Sequence, residues 1–449
     1  MADFFGGKRW GLRFVGGITA VSLLLIAFFV VRNLVVLGQE PSGILIPLTS
    51  GEGEYDPGQL DDITDSQRQE IQLMLDENMV MLAKNGRLPE PNLATQVAFA
   101  WPLKLKNGLT DPGYHGVSGF VDHNFAYPNQ LQDYMCLTRT YDTSDGYNHK
   151  GTDYFLWPFE WHKVNNNEVE VIAAAPGMII GKTDGNYDRN CSFNSSNWNA
   201  VYVRHADGSV AWYGHMKNGS LTTKGIGETV AVGDYLGIVA SSGNSTGPHL
   251  HFEVYRATPY TVSNLIDPYA GSCNNITSWW VEQRPYYDSA VNKLMTASAE
   301  VQFYDCPTPA TSNEKTHFEP GETVYFYSFF RDQRVGQQVT NTVYKPDGSV
   351  SFSWNKTLNN NWSWSWHYQS FLLPPDAPEG YWLYEVVYKG VTYRQGFMVG
   401  EATNYLPVII KDPTPTPTST PTSTPTSTPT ATATATSTPE ATPLSTTES

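Results

Sequence analysis

The chain has 449 residues, too many for one ordinary hydrophobic core, so two folded domains with additional segments are expected. Only 16% of the residues are charged, and the formal net charge is −16. This balance argues against a nucleic-acid partner, because phosphate backbones are bound by clusters of Lys and Arg and the sequence contains no such cluster.

The N-terminal segment has the pattern of an export signal. Lys8 and Arg9 precede an uncharged apolar run over residues 15–31, and acidic residues follow further along the chain. This order of charges favours export of everything that follows. Residues 1–38 are therefore predicted to form a hydrophobic helix, either a signal peptide or a membrane anchor with its tether through residues 15–36. Both alternatives place the protein outside the cytoplasm, secreted or associated with the cell envelope.

Residues 39–96 are predicted to be a linker that contains one helix. Residues 61–85 carry apolar side chains at helical spacing, among them Ile71, Leu75 and Leu82. An Asn-Gly pair then signals the helix end. The helix could pack on the following domain or act as a spacer, and the sequence leaves both alternatives open.

Four cysteines lie far apart in the chain: Cys136, Cys191, Cys273 and Cys306. An exported protein can form disulfides, and the absence of a CxxC pair argues against a cysteine zinc site. Three pairings are possible, and the pairing of sequence neighbours predicts Cys136–Cys191 and Cys273–Cys306.

Residues 97–290 are predicted to form an antiparallel β domain. Short alternating runs are separated by Gly, Asn and Asp, as in VYVRHADGSVAWYG, where two strands flank a tight turn. Frequent strands with little helical pattern are typical of an all-β fold.

Residues 299–402 have a second β pattern, with hairpin turns at intervals typical of an immunoglobulin-like sandwich. Within it Trp362, Trp364 and Trp366 alternate with serines and so share one face of a strand. Core packing is the simpler interpretation of these indoles, and a sugar-stacking platform is the alternative.

The C-terminal residues 412–449 are almost entirely Thr, Pro, Ser and Ala. Such a segment cannot bury enough apolar surface to offset its ordering entropy, so a disordered tail is predicted.

The residues able to carry chemistry are clustered in three motifs of the first β domain. His149 and Asp153 lie in NHKGTDYF, His215 ends WYGH, and His249 and His251 lie in GPHLHFEV. Side chains alternate along a strand, so both histidines of the last motif face one side while Leu250 and Phe252 face a core. Histidines with a carboxylate are the ligand types of catalytic zinc, and further imidazoles can transfer protons.

Residues from about 145 to 256 resemble the lysostaphin/LytM-type zinc metallopeptidases of peptidoglycan endopeptidases. The motifs that carry the resemblance are HKGTD, VYVRHADGSVAWYGHM and SGNSTGPHLHFE. The resemblance implies a compact antiparallel β-sheet and one Zn²⁺ per chain. It implies that His149, Asp153 and His251 are the zinc ligands, that His249 is the general base and that His215 stabilises the oxyanion.

Two segments, residues 154–170 and 184–198, are longer than the connections typical of that family and are expected to wall the substrate groove. The other histidines lack a motif and are predicted at surface or hairpin positions: His115, His123, His162, His205, His317 and His367. His162, in the first long segment, is an alternative extra groove residue.

The function predicted from this pattern is an exported zinc metalloendopeptidase that hydrolyses the peptide cross-links of bacterial peptidoglycan. Two alternatives stay open: a non-catalytic protein that binds the cell wall, and a secreted protease that acts on proteins.

Overall fold

The computed structural model describes residues 44–55 and 63–401. The predictions for residues 1–38 and 412–449 lie outside this part of the chain. Within the described ranges, no helix is both long and apolar enough to cross a membrane. The described structure is mainly β, as the sequence predicts.

The first part of the chain contains both α-helices of the described residues and the shorter strands. Its elements are β1 (Ile46–Glu54), α1 (Asp65–Lys84), β2 (Leu103–Leu105), β3 (His115–Gly119), β4 (Thr152–Leu156), α2 (Glu160–Asn166), β5 (Val169–Ile172), β6 (Gly177–Thr183), β7 (Ala200–His205), β8 (Val210–Gly214), β9 (Thr229–Val230), β10 (Tyr235–Ile238), β11 (His249–Tyr255) and β12 (Leu265–Ile266).

The second part consists of longer strands. They are β13 (Ala290–Ala297), β14 (His317–Phe318), β15 (Thr323–Gln333), β16 (Gln338–Tyr344), β17 (Val350–Thr357), β18 (Trp362–Leu372), β19 (Gly380–Tyr388) and β20 (Val391–Val399).

The largest sheet belongs to the first part and has the order β3-β4-β11-β8-β7-β6-β9, with β12 paired to β11. All of these pairs are antiparallel, and β11 lies between β4 and β8. One face of β11 carries Leu250 and Phe252, which join a core that includes Val171 of β5 and Leu236 of β10. The opposite face carries His249 and His251, as the alternation of the motif predicts.

The second part, together with β1, forms two layers of β-sheet. Strands β1-β18-β15-β13 make one sheet and β14-β20-β19-β16-β17 make the other. Apolar side chains from both sheets share one core, in which Phe326 of β15 packs against Phe397 of β20 with ring centroids 5.5 Å apart. The two-layer arrangement agrees with a sandwich, while its immunoglobulin-like character stays a prediction.

Strand β1 corrects the prediction of a linker at its position. Strand β1 pairs with β18 from Ile46 to Glu54, although the two strands lie more than 300 residues apart in the sequence. The sequence IPLTSGEGE lacks alternation, yet its glycines fit the partner strand. A Cβ at Gly51 would lie 2.5 Å from the Tyr368 ring, and one at Gly53 would lie 2.7 Å from the Trp366 ring. Glycine therefore leaves room for aromatic side chains of the neighbouring strand.

Helix α1 lies within the range predicted for it. Thr64 and Gln67 form a capping box at its N-terminus. Leu75 and Leu82 are fully buried in a core that also contains Trp212 of β8. Of the two alternatives for this helix, packing and spacer, the structure shows packing, because α1 buries these side chains against the large sheet.

The predicted disulfide pairing is wrong. The bonds join Cys136 to Cys273 and Cys191 to Cys306, with Cα–Cα distances of 5.1 and 5.7 Å. Each bond joins residues more than 100 positions apart. Proximity in the sequence did not predict the pairing, because strand pairing brings remote loops together. A bond between remote cysteines is also not disfavoured much more than one between near cysteines, since the entropy cost of loop closure grows only slowly with loop length.

Trp364 supports the core-packing interpretation of the tryptophan stripe. It is 5% exposed, and its ring lies edge-on to Phe155 of β4 with centroids 3.9 Å apart. Trp364 therefore lies in an aromatic core between the two parts of the chain, together with Trp157 and Phe329. A side chain so buried is not available to stack on a sugar.

The remaining histidines differ from the prediction in part. His115 and His367 are buried within strands, and His205 is at a hairpin position but is also buried. His317 is exposed, while His123 is half-buried beside Asp267. These burials escaped prediction because they arise when strands from distant parts of the sequence pack together.

His162 is also half-buried. Its Nε2 atom lies 2.7 Å from the backbone carbonyl oxygen of Ala310. It thus contacts the segment before β14. Among the described residues, this contact does not support the alternative that His162 lines the substrate groove.

Replacing Trp364 with Ala should lower the free energy of unfolding by about 3–5 kcal/mol, because it opens a cavity in the aromatic core. The measurement is urea unfolding followed by circular dichroism. Trp362→Ala is the matched control, since that indole is only half-buried, and it should cost clearly less. Equal losses for the two variants would contradict the packing described.

Mass-spectrometric mapping of peptides from the unreduced protein should recover two linked pairs, one holding Cys136 with Cys273 and the other Cys191 with Cys306. Reduction before digestion should abolish both pairs. Recovery of a peptide that links Cys136 to Cys191 would contradict the fold of these loops.

Candidate metal centre

The pairing of β4 with β11 sets Asp153 directly opposite His251. Residues directly opposite each other on two antiparallel strands point to the same face, so the Asp153 and His251 side chains project from the same side of the sheet. His149 lies in the loop just before β4, and its Nδ1 is 2.7 Å from the Phe120 carbonyl oxygen. All three side chains are fully buried.

His149, Asp153 and His251 each offer one ligand atom, and these atoms lie within 4.8 Å of one another. Nε2 of His149 is 3.1 Å from Oδ2 of Asp153, and Nδ1 of His251 is 2.9 Å from Oδ1. Two imidazole nitrogens and one carboxylate oxygen are a donor set of catalytic zinc, which keeps a further position for water or substrate. The donor set therefore fits the metal that the resemblance implies.

The protonation of His149 supports this fit. A backbone carbonyl can only accept, so Nδ1 of His149 carries the proton that faces Phe120. The neutral ring then presents a lone pair on Nε2 toward the carboxylate. Nε2 is buried and makes no hydrogen bond within the described part of the chain. In the neutral ring, Nε2 and Oδ2 are two acceptors 3.1 Å apart, and a cation bound between them would remove their repulsion.

His251 is held from its other side by a second carboxylate. Its Nε2 lies 3.0 Å from Oε2 of Glu253, two residues further along β11 on the same face. A proton on Nε2 leaves Nδ1 as the ligand atom, which faces Asp153. Carboxylate–histidine pairs of this kind fix the tautomer and orientation of metal-binding imidazoles.

The charge of Glu253 is maintained although the residue is fully buried. Burial alone would raise the pKa of its carboxyl group. The guanidinium of Arg68, with smaller contributions from His251, instead lowers this pKa to about 2. Glu253 is therefore a carboxylate at any pH at which the protein is expected to work.

His215 and His249 lie beside the cluster with ring centroids 4.5 Å apart. Nδ1 of His215 is 2.6 Å from the Ser242 carbonyl oxygen, and Nδ1 of His249 is 2.8 Å from that of Gly247. Both Nδ1 atoms therefore carry protons, and in the neutral rings each Nε2 has a lone pair. Nε2 of His249 is 3.8 Å from Oδ1 of Asp153. The structure thus brings all five predicted residues together.

The backbone at His215 is unusual, with a φ of +60° at the end of β8. Few residues other than glycine adopt this left-handed conformation, and such conformations are concentrated at functional sites. The hydrogen bond to Ser242 and an edge contact with Trp198, with centroids 5.1 Å apart, hold the ring.

Three further residues of the site were missed by the sequence reasoning: Tyr141, Glu253 and Arg68. The Tyr141 ring stacks on His149 with centroids 4.4 Å apart, and its hydroxyl donates to Asp153 at 3.2 Å. Glu253 could have been identified, since it continues the alternation of His249 and His251. Tyr141 and Arg68 lie in segments without a motif.

A cavity of about 450 Å³ lies beside His215. Helix α1 lines it through Gln67 and Glu70, and the segment 184–198 lines it through Asn197 and Trp198. The second long segment thus forms a wall, as expected from the sequence. The first does not line this cavity, because its aromatic residues are used in the cores.

Part of the chain that carries this site is similar to known peptidases. Residues 148–265 match the sequence model of peptidase family M23. Over 105 residues the chain is 31% identical to the peptidoglycan DD-endopeptidase ShyC of Vibrio cholerae. Over 55 residues it is 46% identical to the DD-carboxypeptidase/endopeptidase Mpg of Neisseria meningitidis, and equally to that of Neisseria gonorrhoeae.

These similarities are confined to part of each protein. The ShyC match covers 23% of this chain and 19% of ShyC, and the Mpg match covers 12% of this chain and 12% of Mpg. The chain therefore spans less than a fifth of the length of these relatives. Helix α1 and the second β part lie outside residues 148–265, which match the family model.

Gly151, in the HKGTD motif, leaves the space that the His251 ring needs. A Cβ there would lie 2.5 Å from Cε1 and Nε2 of His251 and 2.9 Å from the Phe252 carbonyl oxygen. Gly151→Ala should therefore displace the imidazole and weaken zinc binding about tenfold or more, because ligand orientation controls metal affinity. Competition with a chromophoric chelator measures the affinity.

Gly225→Ala is the control for this substitution, since a Cβ there would meet only the Glu228 carboxylate, at 3.5 Å. It should leave zinc affinity unchanged. Wild-type affinity in Gly151→Ala would contradict the close approach of the β4 and β11 segments.

Proposed function

We propose that this chain, which carries a domain of peptidase family M23, is an exported zinc metalloendopeptidase that hydrolyses peptide cross-links of bacterial peptidoglycan. The observation that carries the proposal is the cluster of three buried ligand atoms within 4.8 Å, with two further imidazoles beside it. A solvated or purely structural role would not require five buried titratable groups around one point.

In this proposal Nε2 of His149, the Asp153 carboxylate and Nδ1 of His251 hold one zinc ion. Zinc, when bound, polarises a carbonyl oxygen and lowers the pKa of water from 15.7 to about 7. Tyr141 and Glu253 orient the ligands by hydrogen bonding to Asp153 and His251. The protein thereby keeps the ligand geometry fixed before substrate arrives.

His249 acts as the general base. Its Nδ1–H faces the Gly247 carbonyl, so Nε2 is the ring atom that takes the proton from the water that attacks the scissile carbonyl. Its position 3.8 Å from Asp153 places it at the edge of the ligand cluster. The proton can then pass to the amine that leaves.

His215 stabilises the negative charge on the carbonyl oxygen during the attack. Its Nδ1–H is fixed on the Ser242 carbonyl, so Nε2 is the atom that faces the site and, when the ring takes up a proton, donates to the oxyanion. Trp198 limits the movement of this ring. A donor held in place before the reaction needs no reorganisation when charge develops.

Peptidoglycan peptides are proposed as substrate because ShyC is named as a peptidoglycan DD-endopeptidase, and Mpg is named as a DD-carboxypeptidase/endopeptidase. The N-terminal pattern of basic and apolar residues supports export to the cell envelope. The cavity beside His215, lined largely by polar side chains, has room for part of a peptide strand.

Purified protein should bind about one zinc ion and release peptide fragments from cross-linked muropeptides, with activity lost on chelation and restored by zinc. His249→Ala and His215→Ala should keep the metal but lose about 10²–10⁴-fold in rate, the usual contribution of general acid–base groups. His251→Ala should lose the metal itself. Mass spectrometry of the digest and metal analysis provide the readouts.

His317→Ala serves as the control, since this histidine is exposed and remote in the fold. Zinc-loaded protein that leaves cross-linked muropeptides intact would contradict the proposal. Cleavage of casein in place of muropeptides would favour the secreted protease instead, and binding without cleavage would favour the wall-binding protein.

A further inference from the structure

Arg68 of helix α1 is a buried cation that reaches the strand of the metal ligands. Its side chain is 8% exposed. Nη1 lies 2.5 Å from Oε1 of Glu253, and Nη2 lies 3.1 Å from Oε2. Two parallel contacts of this kind match the fork of a guanidinium to a carboxylate.

The guanidinium has no freedom to move away from this position. Nε donates to the Ile63 carbonyl at 3.2 Å, and Nη1 also donates to the Tyr255 hydroxyl at 2.9 Å. The Tyr255 hydroxyl in turn donates to Glu253. The capping box at Thr64 fixes the first turn of the helix, from which the side chain extends.

The chain of contacts continues to the metal cluster through Glu253. Its Oε2 faces Nε2 of His251, whose Nδ1 faces Asp153. Each link is buried, so solvent does not screen the charges. Without Arg68, Glu253 would be an uncompensated buried carboxylate that the paired guanidinium contacts no longer hold against His251.

We infer that Arg68 is a positioning residue for the metal centre: it holds the Glu253 carboxylate on Nε2–H of His251 and so fixes Nδ1 as the ligand atom. Helix α1, which lies outside the family match, thereby completes the site. This inference rests on the proposed zinc site, and it adds that removing one arginine 183 positions before His251 in the chain weakens zinc binding.

The test measures zinc affinity by competition with a chromophoric chelator, and the absorption spectrum of the Co²⁺-loaded protein. Arg68→Gln should bind zinc about 10–100-fold more weakly than wild type, the usual effect of losing an outer-shell partner, and should shift the cobalt spectrum. Arg68→Lys retains the charge and should recover part of the affinity. Unfolding of the metal-free protein is followed separately to measure stability.

Arg87→Gln is the matched control. Arg87 lies three residues after the end of α1 and donates to the Gly227 carbonyl at 2.8 Å. In the described structure this contact does not involve the metal cluster. It should bind zinc as wild type does. If Arg68→Gln folds and has wild-type zinc affinity and cobalt spectrum, the inference is overturned.

If Arg68→Gln does not fold, Glu253→Gln and the double variant Arg68→Gln/Glu253→Gln replace it, since the double variant leaves no buried carboxylate unpaired. Their zinc affinities should be equal, because Arg68 acts through Glu253. A clearly weaker double variant would overturn the inference. Failure of the wild-type protein to bind zinc would overturn the proposed function itself. The experiment therefore distinguishes failure of the proposed function from failure of the inference about Arg68.

Discussion

The antiparallel pairing of β4 with β11 is the constraint on which the rest of the site depends. It sets Asp153 opposite His251 and Phe155 opposite His249. A shift of the register by one residue would turn these side chains to the opposite face and bury Leu250 and Phe252 where the imidazoles now lie. The apolar face therefore specifies the position of the face that carries His249 and His251, because register is fixed most strongly where one side of a sheet is buried.

Two elements outside the matched family region cover the same face of the large sheet. Helix α1 packs at one end, where Leu75 and Trp212 belong to one core, and the second β part packs at the other, where Trp364 contacts Phe155. Because both contacts are apolar and buried, the strands of the metal cluster are held from two sides. This support explains how a site with five buried titratable groups can be maintained, since rigid surroundings offset the cost of burying them.

The sequence was sufficient to predict the five clustered residues, because the spacing of His249 and His251 reflects strand alternation and the three motifs together resemble one family. It was also sufficient for α1, whose apolar spacing is regular. It was insufficient for β1 and for the disulfides, since pairing between remote segments leaves no local pattern. Arg68 was missed for the same reason: its importance comes from a contact across 185 positions with Glu253.

The central claim is that two imidazoles and one carboxylate from β4, β11 and the preceding loop hold a single ion. Diffraction at the zinc absorption edge from crystals of the zinc-loaded protein tests it most directly. The account predicts one anomalous peak, about 2.0–2.2 Å from Nε2 of His149, an Asp153 oxygen and Nδ1 of His251. A peak bound by other residues, or an empty cluster in a crystal saturated with zinc, would contradict it.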